Sequence, residues 1–337
     1  MIIKGLIRKQ ISNQYTVIDL ETKLEYNAVA SGKLRYVKVD ENSSFNKTYG
    51  RNTKKQQQII KVSPKVGDKI LLDTSMDQNV IIEIKDRIND LIRPDVANVD
   101  QVLLVFSCIR PVFSFHLLDK FLVILNEQNL NVTLVISKID LISEEELTIL
   151  KEKLEYYRVN LNMEIYYVNS KQRIGFDVLE HIFKDKITVL AGQTGVGKST
   201  LLNALIPELK LKTQEISDAL GRGKHTTRHS ELYDFNEGYI CDTPGFSKIE
   251  INIYEKEELK SYYEDFTELS HDCKFNTCNH INEPNCAIKE AVKDGIIPED
   301  RYENYVKFYE EIESKKNKYW KDDLNENCTF SFNSWFH

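Results

Sequence analysis

The sequence predicts a multidomain α/β protein with an N-terminal OB-type β-barrel, a doubly wound α/β domain and a C-terminal helical domain. Three observations predict this division. Short β-like segments fill the first 85 residues, strands then alternate with helices to about residue 250, and a cysteine cluster begins after Asp272. A chain of 337 residues has room for two or three domains. We place the domains at residues 1–85, 86–250 and 251–337.

Charge and hydropathy exclude some classes of protein, such as membrane-spanning proteins. The formal net charge of −7 argues against indiscriminate binding to nucleic acid, although it allows local basic patches. The charged residue Lys4 interrupts the apolar N-terminal residues, a pattern that differs from an export signal. The longest apolar run, Val102–Phe106, is too short to cross a membrane. We therefore expect a soluble cytoplasmic protein with no membrane partner, and we assume a monomer.

The first domain contains four short β-like segments separated by turn residues: Tyr15–Ile18, Leu34–Val39, Ile70–Leu72 and Val80–Ile84. Pro64–Asp68 is a turn signal of the kind that joins barrel strands. A small five-stranded barrel of the OB type is the most economical interpretation of this pattern.

A polar stretch between Asp40 and Pro64 combines basic and aromatic residues, namely Lys47, Arg51, Lys54, Lys55, Lys61, Phe45 and Tyr49. Such a loop can bind an RNA backbone and stack on its bases. A solvated surface loop explains the same composition equally well. The charge pattern leaves both interpretations open.

The second domain alternates strands with helices. Val99–Phe106 and Asn131–Ile136 are nearly continuous apolar runs, as expected when both faces of a sheet are covered. An amphipathic helix, His116–Gln128, lies between them, and Ser143 opens another helix with a capping-box pattern. A further strand is predicted at Glu164–Val168. This rhythm indicates a doubly wound sheet, whose ligands bind at the carboxyl ends of the strands.

A phosphate-binding loop is the strongest motif of the chain. The pattern G-x-x-x-x-G-K-S lies between a predicted strand, Lys186–Ala191, and a predicted helix, Thr200–Leu205. The backbone N–H groups of such a loop bind a β-phosphate, Lys198 reaches the β- and γ-phosphates, and Ser199 can ligate Mg²⁺. The flanking elements disfavour a chance match in a glycine-rich turn. The predicted nucleotide-binding residues of this loop are Gly192, Gln193, Thr194, Gly195, Val196, Gly197, Lys198, Ser199 and Thr200.

Two shorter motifs indicate the base. The first motif ends a predicted strand and consists of Ser137, Lys138, Ile139 and Asp140. It resembles the N/T-K-x-D element of GTPases, whose Asp accepts hydrogen bonds from two guanine N–H groups. Adenine has no such pair of donors, so a buried Asp140 would be left with unpaired oxygens against it. After Asn169, Ser170 and Lys171 resemble the short S-A-K-type loop of GTPases. A surface Lys-Asp turn is the ordinary alternative for the first of these motifs.

Two further segments resemble GTPase switches. Asp242 to Gly245 matches D-x-x-G, in which the Asp can hold Mg²⁺ through water and the Gly245 N–H can sense the γ-phosphate. Residues 221–228 have the polar character of a first switch, where Thr226 or Thr227 could complete the Mg²⁺ shell. A strand-end turn and a basic loop are the alternatives. Together with the phosphate loop, these motifs predict a GTPase that binds GTP or GDP and Mg²⁺.

The order of the motifs is unusual. A GTPase ordinarily runs from the phosphate loop through the switches to N-K-x-D and S-A-K, whereas here Ser137–Asp140 and Asn169–Lys171 precede Gly192. Permuting the connections leaves every loop at the same edge of the sheet. The sequence therefore predicts a circularly permuted P-loop GTPase domain, in which the second switch runs directly into the C-terminal segment.

A cluster of potential metal ligands marks the third domain. Cys273, Cys278, His280 and Cys286 lie within fourteen residues and make a complete tetrahedral Zn²⁺ set with no open position for catalysis. We therefore predict one structural Zn²⁺ in a helical domain. Reduced cysteines with a surface histidine are the alternative. A helix from Arg301 to about Lys321 follows, and its aromatic residues are predicted to pack in the core.

These motifs together resemble a known family. The permuted order, the phosphate loop, the run Gly-Arg-Gly-Lys-His-Thr-Thr-Arg-His from Gly221, Asp-Thr-Pro-Gly-Phe from Asp242 and the zinc run are similar to the bacterial ribosome small-subunit-dependent GTPase A family. The resemblance covers nearly the whole chain. It implies a factor in late maturation of the small ribosomal subunit, with that subunit and its rRNA as partners and GTP hydrolysis stimulated by the subunit.

The chain departs from this family at three places. Ser137 stands where the family usually has Asn or Thr, so a weaker polar bridge to the guanine and the phosphate loop is expected. Asn169–Lys171 is an imperfect fifth motif, which is tolerable because a backbone N–H usually makes its contact. The tail from Asn325 to His337 has no counterpart that assigns it a role.

The residue after D-x-x-G bears on turnover. Many GTPases have there a Gln that orients the attacking water, whereas Phe246 cannot hydrogen-bond to it, so slow intrinsic turnover is expected. His225 is the candidate for positioning the water, as the family resemblance also suggests; a loop residue or an RNA contact is the alternative for it. For the whole protein, the alternatives are a P-loop ATPase or kinase, a non-enzymatic RNA-binding module, and a permuted GTPase acting on another RNA or ribosomal particle.

Overall fold

The computed structural model describes residues 1–35, 37–39, 58–60, 62–91, 94–209, 230–242, 251, 253 and 255–330. The backbone forms two compact units. The first comprises Met1–Val112, Asn129–Thr148 and Glu164–Lys248, and the second comprises Phe113–Gln128, Ile149–Met163 and Ile249–His337.

Strands make up most of the first unit. In chain order they are β1 (Ile2–Ile11), β2 (Gln14–Asp19), β3 (Glu25–Ala30), β4 (Val37–Val39), β5 (Gln58–Ile60), β6 (Lys69–Asp73), β7 (Asn79–Ile84), β8 (Asp90–Leu91), β9 (Val96–Ala97), β10 (Gln101–Ser107), β11 (Asn131–Ser137), β12 (Glu164–Val168), β13 (Ile187–Ala191), β14 (Glu231–Phe235) and β15 (Gly238–Asp242). The α-helices of both units are α1 (Phe115–Glu127), α2 (Glu144–Asn160), α3 (Phe176–Leu179), α4 (Lys198–Leu205), α5 (Glu264–Ser270), α6 (Ala287–Lys293) and α7 (Glu299–Phe330). No described helix is both long and apolar enough to span a bilayer.

A closed five-stranded barrel confirms the predicted N-terminal fold. Its strands pair in the order β1-β2-β3-β7-β6, and pairing of β6 with β1 closes the circle. Inward side chains such as Ile7, Val17, Leu72 and Ile81 are fully buried, as alternation along barrel strands requires. The predicted strand Leu34–Val39 is wrong in its first half, because the Leu34 N–H donates to the Ser31 carbonyl oxygen and closes a 3₁₀ turn.

The predicted doubly wound sheet is also confirmed. Its strands lie in the order β12-β11-β10-β13-β15-β14, and all neighbouring pairs are parallel except β14 with β15. Every residue of β10 and β13 is buried. Residues of α3 and α4, including Phe176, Leu201 and Leu205, cover the sheet with an apolar cluster. The carboxyl ends of the parallel strands therefore meet at one edge.

The residues after the barrel pack against it as an ordered junction. Arg87 donates from Nε and Nη2 to the two carboxylate oxygens of Asp68, at 2.7 and 2.8 Å, and both side chains are buried. Gly67, in the adjacent turn, has φ of +87°, and a Cβ there would lie 2.0 Å from the Ala97 carbonyl oxygen. Only glycine fits this turn.

The second unit is helical and contains a buried ionic cluster. Arg301 of α7 binds both carboxylate oxygens of Asp265, at 2.5 and 2.7 Å, and donates to Asp119 of α1 at 2.6 Å. The hydroxyl of Tyr157 and the amide of Asn304 donate to Asp119, each at 2.8 Å. Burial raises the pKa of Asp119, and the Arg301 charge opposes that shift. This cluster links α1 and α2 to the C-terminal helices of the unit.

We expect Arg301→Met to lower the free energy of unfolding by about 3–5 kcal/mol, because it leaves two buried carboxylates without their cation. Urea unfolding followed by far-UV circular dichroism measures this loss. Lys307→Met, which removes an exposed ion pair from the same helix, should change the free energy by less than about 0.5 kcal/mol. Equal losses in the two variants would contradict a special role for the buried cluster.

Candidate functional site

The phosphate loop connects β13 to α4 in a conformation that requires glycine. Gly192, Gly195 and Gly197 have φ of +135°, +84° and +101°. A Cβ on Gly192 would lie 2.2 Å from the Val105 carbonyl oxygen of the neighbouring strand, so any side chain there would displace the backbone. The loop is therefore built as the sequence predicts, at the carboxyl end of β13 and the N-terminus of α4.

Lys198 lies over this loop. Its ammonium donates to the carbonyl oxygens of Gly192 and Gln193, both at 2.7 Å. Burial lowers the pKa of Lys198 to about 8. The ammonium is thus held at the loop by two neutral acceptors and is partly desolvated, an arrangement that favours a polyanionic ligand.

A pocket joins the phosphate loop to the two predicted base-reading motifs. It encloses about 450 Å³ of space, part of which is open to solvent. It is lined by Ser137, Lys138, Asp140, Leu141, Asn169, Ser170, Lys171, Gly197 and Thr200. The structure therefore brings together three motifs that are separated in sequence, with Asp140 as an exposed residue of the lining.

Ser137 ties the base-reading loop to the phosphate loop. Its hydroxyl oxygen lies 2.5 Å from the Val196 carbonyl oxygen and 3.1 Å from that of Phe106, and it can donate to one of them at a time. Lys138 adds a second connection, donating to the Gly195 carbonyl oxygen at 2.6 Å and to that of Arg110. The serine hydroxyl can therefore make the bridge to the phosphate loop, and the Phe106 carbonyl oxygen competes for its single hydrogen.

Asn169 organises the loop that carries Ser170 and Lys171. Its Oδ1 accepts from the Lys171 N–H at 3.0 Å, and its Nδ2 donates to Gln172 Oε1 at 2.8 Å. The side chain is buried. The motif alone does not assign Asn169 this role, but an Asn at a strand end before a polar pair is typical of an Asx turn and is the signal that indicates it.

Several predicted residues lie outside the described part of the chain. These are His225, Thr226, Thr227, Gly245 and Phe246, together with the basic loop residues Lys47, Arg51, Lys54, Lys55 and Lys61 and the end of the tail, residues 331–337. Asp242 ends β15 and pairs with Glu231 of β14, and only its backbone is described.

The four predicted metal ligands converge in the second unit. His280 Nδ1 lies 3.4 Å from the Cys286 sulfur and 3.6 Å from the Cys273 sulfur, and those two sulfurs are 4.0 Å apart. All four ligand atoms, including that of Cys278, lie within 4.8 Å of one another, and all four residues are buried. A tetrahedral zinc ion with bonds of about 2.0–2.3 Å separates its ligand atoms by about 3.5–3.8 Å. The cluster fits a structural Zn²⁺.

The protonation chemistry of the cluster also suits a cation. Burial lowers the pKa of His280 to about 4, which keeps the imidazole neutral at pH 7 as metal binding requires. Burial raises the pKa of the Cys278 thiol to about 12, so a buried thiolate needs a nearby positive charge. A zinc ion supplies that charge, and metal binding then releases protons from the thiols.

Side chains hold the backbone of the metal loop. Glu283 accepts from the N–H groups of Asn279 at 2.7 Å and Ile281 at 2.9 Å. From α7, the Tyr302 and Tyr305 hydroxyls donate to the carbonyl oxygens of His280 and Asn279, both at 2.7 Å. His280 itself has φ of +60°. The ligand loop is therefore fixed by residues that the ligand spacing alone did not identify.

We expect one zinc ion per chain, and less than about 0.1 ion per chain in Cys278→Ser, because a three-ligand site binds zinc far more weakly. Inductively coupled plasma mass spectrometry after dialysis measures the metal content. Cys108→Ala, at a buried cysteine of the first unit, is the matched control and should keep the full zinc content. Stoichiometric zinc in Cys278→Ser would contradict the site.

We expect nucleoside triphosphate affinity to be constant up to about pH 7.5 and to fall above about pH 8. The phosphates stabilise the charged ammonium and raise the pKa of Lys198 on binding, so binding takes up a proton and weakens as pH rises through the free-state value of about 8. Calorimetry in two buffers of different ionisation enthalpy measures this uptake. Lys198→Arg, which stays charged, should lose this proton uptake; an unchanged pH profile would exclude Lys198 as its source.

Comparison with known proteins agrees with this architecture. The family described as RsgA GTPase matches residues 84–252. A protein of Onion yellows phytoplasma (strain OY-M), named "Small ribosomal subunit biogenesis GTPase RsgA", is 49% identical over 93% of this chain and 98% of its own length. A Bacillus subtilis (strain 168) protein of the same name is 46% identical over 77% of this chain and 87% of its own.

Two solved structures share the fold. The crystal structure of YjeQ from Thermotoga maritima matches with a TM-score of 0.74 and 36% identity, over 93% of this chain and 99% of that one. YloQ, titled a circularly permuted GTPase, matches with the same TM-score and identity over 94% of this chain and 96% of its own. The predicted permutation is thereby confirmed. With the family match spanning the nucleotide site and relatives aligned over nearly the whole chain, this protein belongs to the RsgA GTPase family.

Proposed function

We propose that this protein binds the small ribosomal subunit and hydrolyses GTP during late maturation of that subunit, and that hydrolysis changes the switches and releases the protein. The observation that carries the proposal is the pocket in which Asp140, Ser170, Lys171 and the phosphate loop meet. The names of the relatives, small ribosomal subunit biogenesis GTPases, support the choice of particle.

Guanine recognition follows from the chemistry of the pocket. Asp140 is assigned to accept the two N–H groups of guanine, and the stem of Lys138 is assigned to the face of the ring. The backbone after Asn169 is assigned to the guanine oxygen. Asp140 is exposed, so a base that covers it removes water from its carboxylate. Adenine presents no donors to replace that water, whereas guanine presents two.

Phosphate binding is assigned to residues 192–200, with Lys198 at the β- and γ-phosphates. Ser199, Asp242 and Thr226 or Thr227 are the residues that would hold Mg²⁺, which neutralises developing phosphate charge when bound. The Gly245 N–H is assigned to the γ-phosphate. Because Phe246 cannot orient water, we assign that task to His225 or to a group of the subunit, which makes turnover slow in the free protein.

Each of the three predicted domains is assigned a role on the small ribosomal subunit. We propose that residues 1–85 form an rRNA-binding barrel, that residues 86–250 form the GTPase domain, and that residues 251–337 form a zinc-binding domain that presents a fixed surface. The basic stretch after Asp40 is the candidate RNA contact. The protein is placed in the cytoplasm as a monomer with no membrane partner.

Steady-state hydrolysis of GTP and of ATP, each with and without purified small subunits, tests this proposal. We expect slow, GTP-selective turnover that rises at least tenfold, or about 1.4 kcal/mol in barrier, on adding the subunit. Asp140→Asn should weaken GTP binding by about 10²-fold, because an amide N–H then faces the guanine donors. The same variant should gain affinity for xanthosine triphosphate, whose 2-oxo group accepts where guanine donates.

Asp177→Asn makes the same chemical change on an exposed position of α3 and should leave both affinities unchanged. Equal use of GTP and ATP would overturn the assignment of the base. Indifference to the small subunit, with stimulation by another RNA or ribosomal particle, would leave a permuted GTPase with a different substrate particle.

A further inference from the structure

We propose that Lys9, a residue of the barrel, is a positioning residue of the nucleotide site, acting through Glu231 on the strand end that carries Asp242. The inference rests on the proposed role of Asp242 in binding Mg²⁺ and GTP. The proposed connection between the barrel and that site runs through the hairpin of β14 and β15. Along the sequence, this hairpin separates the first-switch segment, residues 221–228, from the D-x-x-G motif.

Three residues stand in one row across three strands. In the pairing of β1 with β14, Lys9 is opposite Glu231. In the pairing of β14 with β15, Glu231 is opposite Asp242. The Lys9 ammonium and the Glu231 carboxylate form an ion pair at 2.6 Å. A single strand, β14, therefore separates the barrel residue Lys9 from the residue assigned to Mg²⁺, and the residue between them carries a charge.

A bulge in β1 makes this row possible. The register of β1 against β2 shifts between Ile7 and Lys9, which leaves Arg8 as the extra residue. Arg8 Nε donates to the Leu232 carbonyl oxygen at 3.0 Å, and Arg8 Nη1 lies 3.1 Å from an Asp234 carboxylate oxygen. Within the described sheet, the neighbours of β14 are β15 and β1, so the barrel strand covers what would otherwise be an open edge.

The ion pair explains why this strand end needs Lys9. It joins the charged side chain of β1 to that of β14 at the register position where the backbone of β14 pairs with Asp242. The side chain of Glu231 is 23% exposed and that of Lys9 is 34% exposed, so water screens the pair only in part. Lys9 thus ties Glu231, and with it the start of β14, to the barrel strand β1. Without Lys9, the end of β15 is held less firmly.

A charge-reversal cycle tests this inference in the full-length protein. We compare Lys9→Glu, Glu231→Lys and the double variant, and we measure the Mg²⁺ concentration that half-saturates tight binding of a fluorescent GTP analogue. Both single variants break the ion pair and loosen the hairpin, so each should raise this concentration about three- to tenfold. The double variant restores an ion pair of reversed polarity and should return to within about twofold of the wild type.

The directions in which the two single variants shift Mg²⁺ binding distinguish a positioning role of Lys9 from a purely electrostatic effect of its charge. If only the local potential mattered, an added negative charge and an added positive charge near the metal would shift Mg²⁺ binding in opposite directions. Shifts in opposite directions, unchanged values, or failure of the double variant to recover would each overturn the inference. Amide hydrogen exchange gives a second readout: residues 231–242 should exchange faster in both single variants and recover in the double variant.

Lys4→Glu is the matched control. It makes the same charge change on β1, at an exposed residue whose strand partner is Leu71 of the barrel, and it should leave Mg²⁺ dependence and exchange of the hairpin unchanged. The proposed function is judged separately on the wild-type protein. If the wild type does not bind or hydrolyse GTP, the proposed function fails, and hydrogen exchange still tests the link between barrel and hairpin.

Discussion

The parallel register of three central strands is the constraint on which the nucleotide site depends. β10 pairs with β11 along its whole length, ending at Ser107 opposite Ser137, and pairs on its other side with β13 up to Ala191. β10 and β13 are buried on both faces, so a slip of one residue would disrupt the packing on both faces. The register therefore brings the base-reading loop and the phosphate loop to one edge. Circular permutation changes the connections and leaves this edge intact.

Hydrogen bonds from side chains to carbonyl oxygens then fix the loops at that edge. Ser137 and Lys138 connect the base-reading loop to the phosphate loop, and Lys198 bonds to carbonyl groups of its own loop. Each donor meets a neutral acceptor, so the loops are held without neutralising the positive charges. Lys198 thus retains its attraction for phosphate, and its lowered pKa follows from its burial.

The second unit differs from the first because it is helical and its core contains charged side chains. Arg301 and its two carboxylates hold α1, α5 and α7 together, and the tyrosines of α7 bond to the backbone of the metal loop. The three cysteine ligands and the apolar core belong to one buried cluster, which includes Phe266 and Phe308. Zinc binding and helix packing in this unit therefore stabilise each other.

The sequence by itself determined the barrel, the doubly wound sheet, the phosphate loop, the permuted order and the metal ligands. Each of these features follows from a contiguous run of residues or from a fixed spacing of residues, because its chemistry is local in the sequence. Only the tertiary structure decided the roles of Asn169, Glu283 and Arg301 and the row from Lys9 to Asp242, because their partners come from other elements. Strand β1 was missing from the predicted segments, since Lys4, Arg8 and Lys9 interrupt its apolar pattern. Arg8 and Lys9 bind residues of the neighbouring strand β14. The periodicity of β1 cannot indicate these partners, because they lie more than two hundred residues away in the sequence.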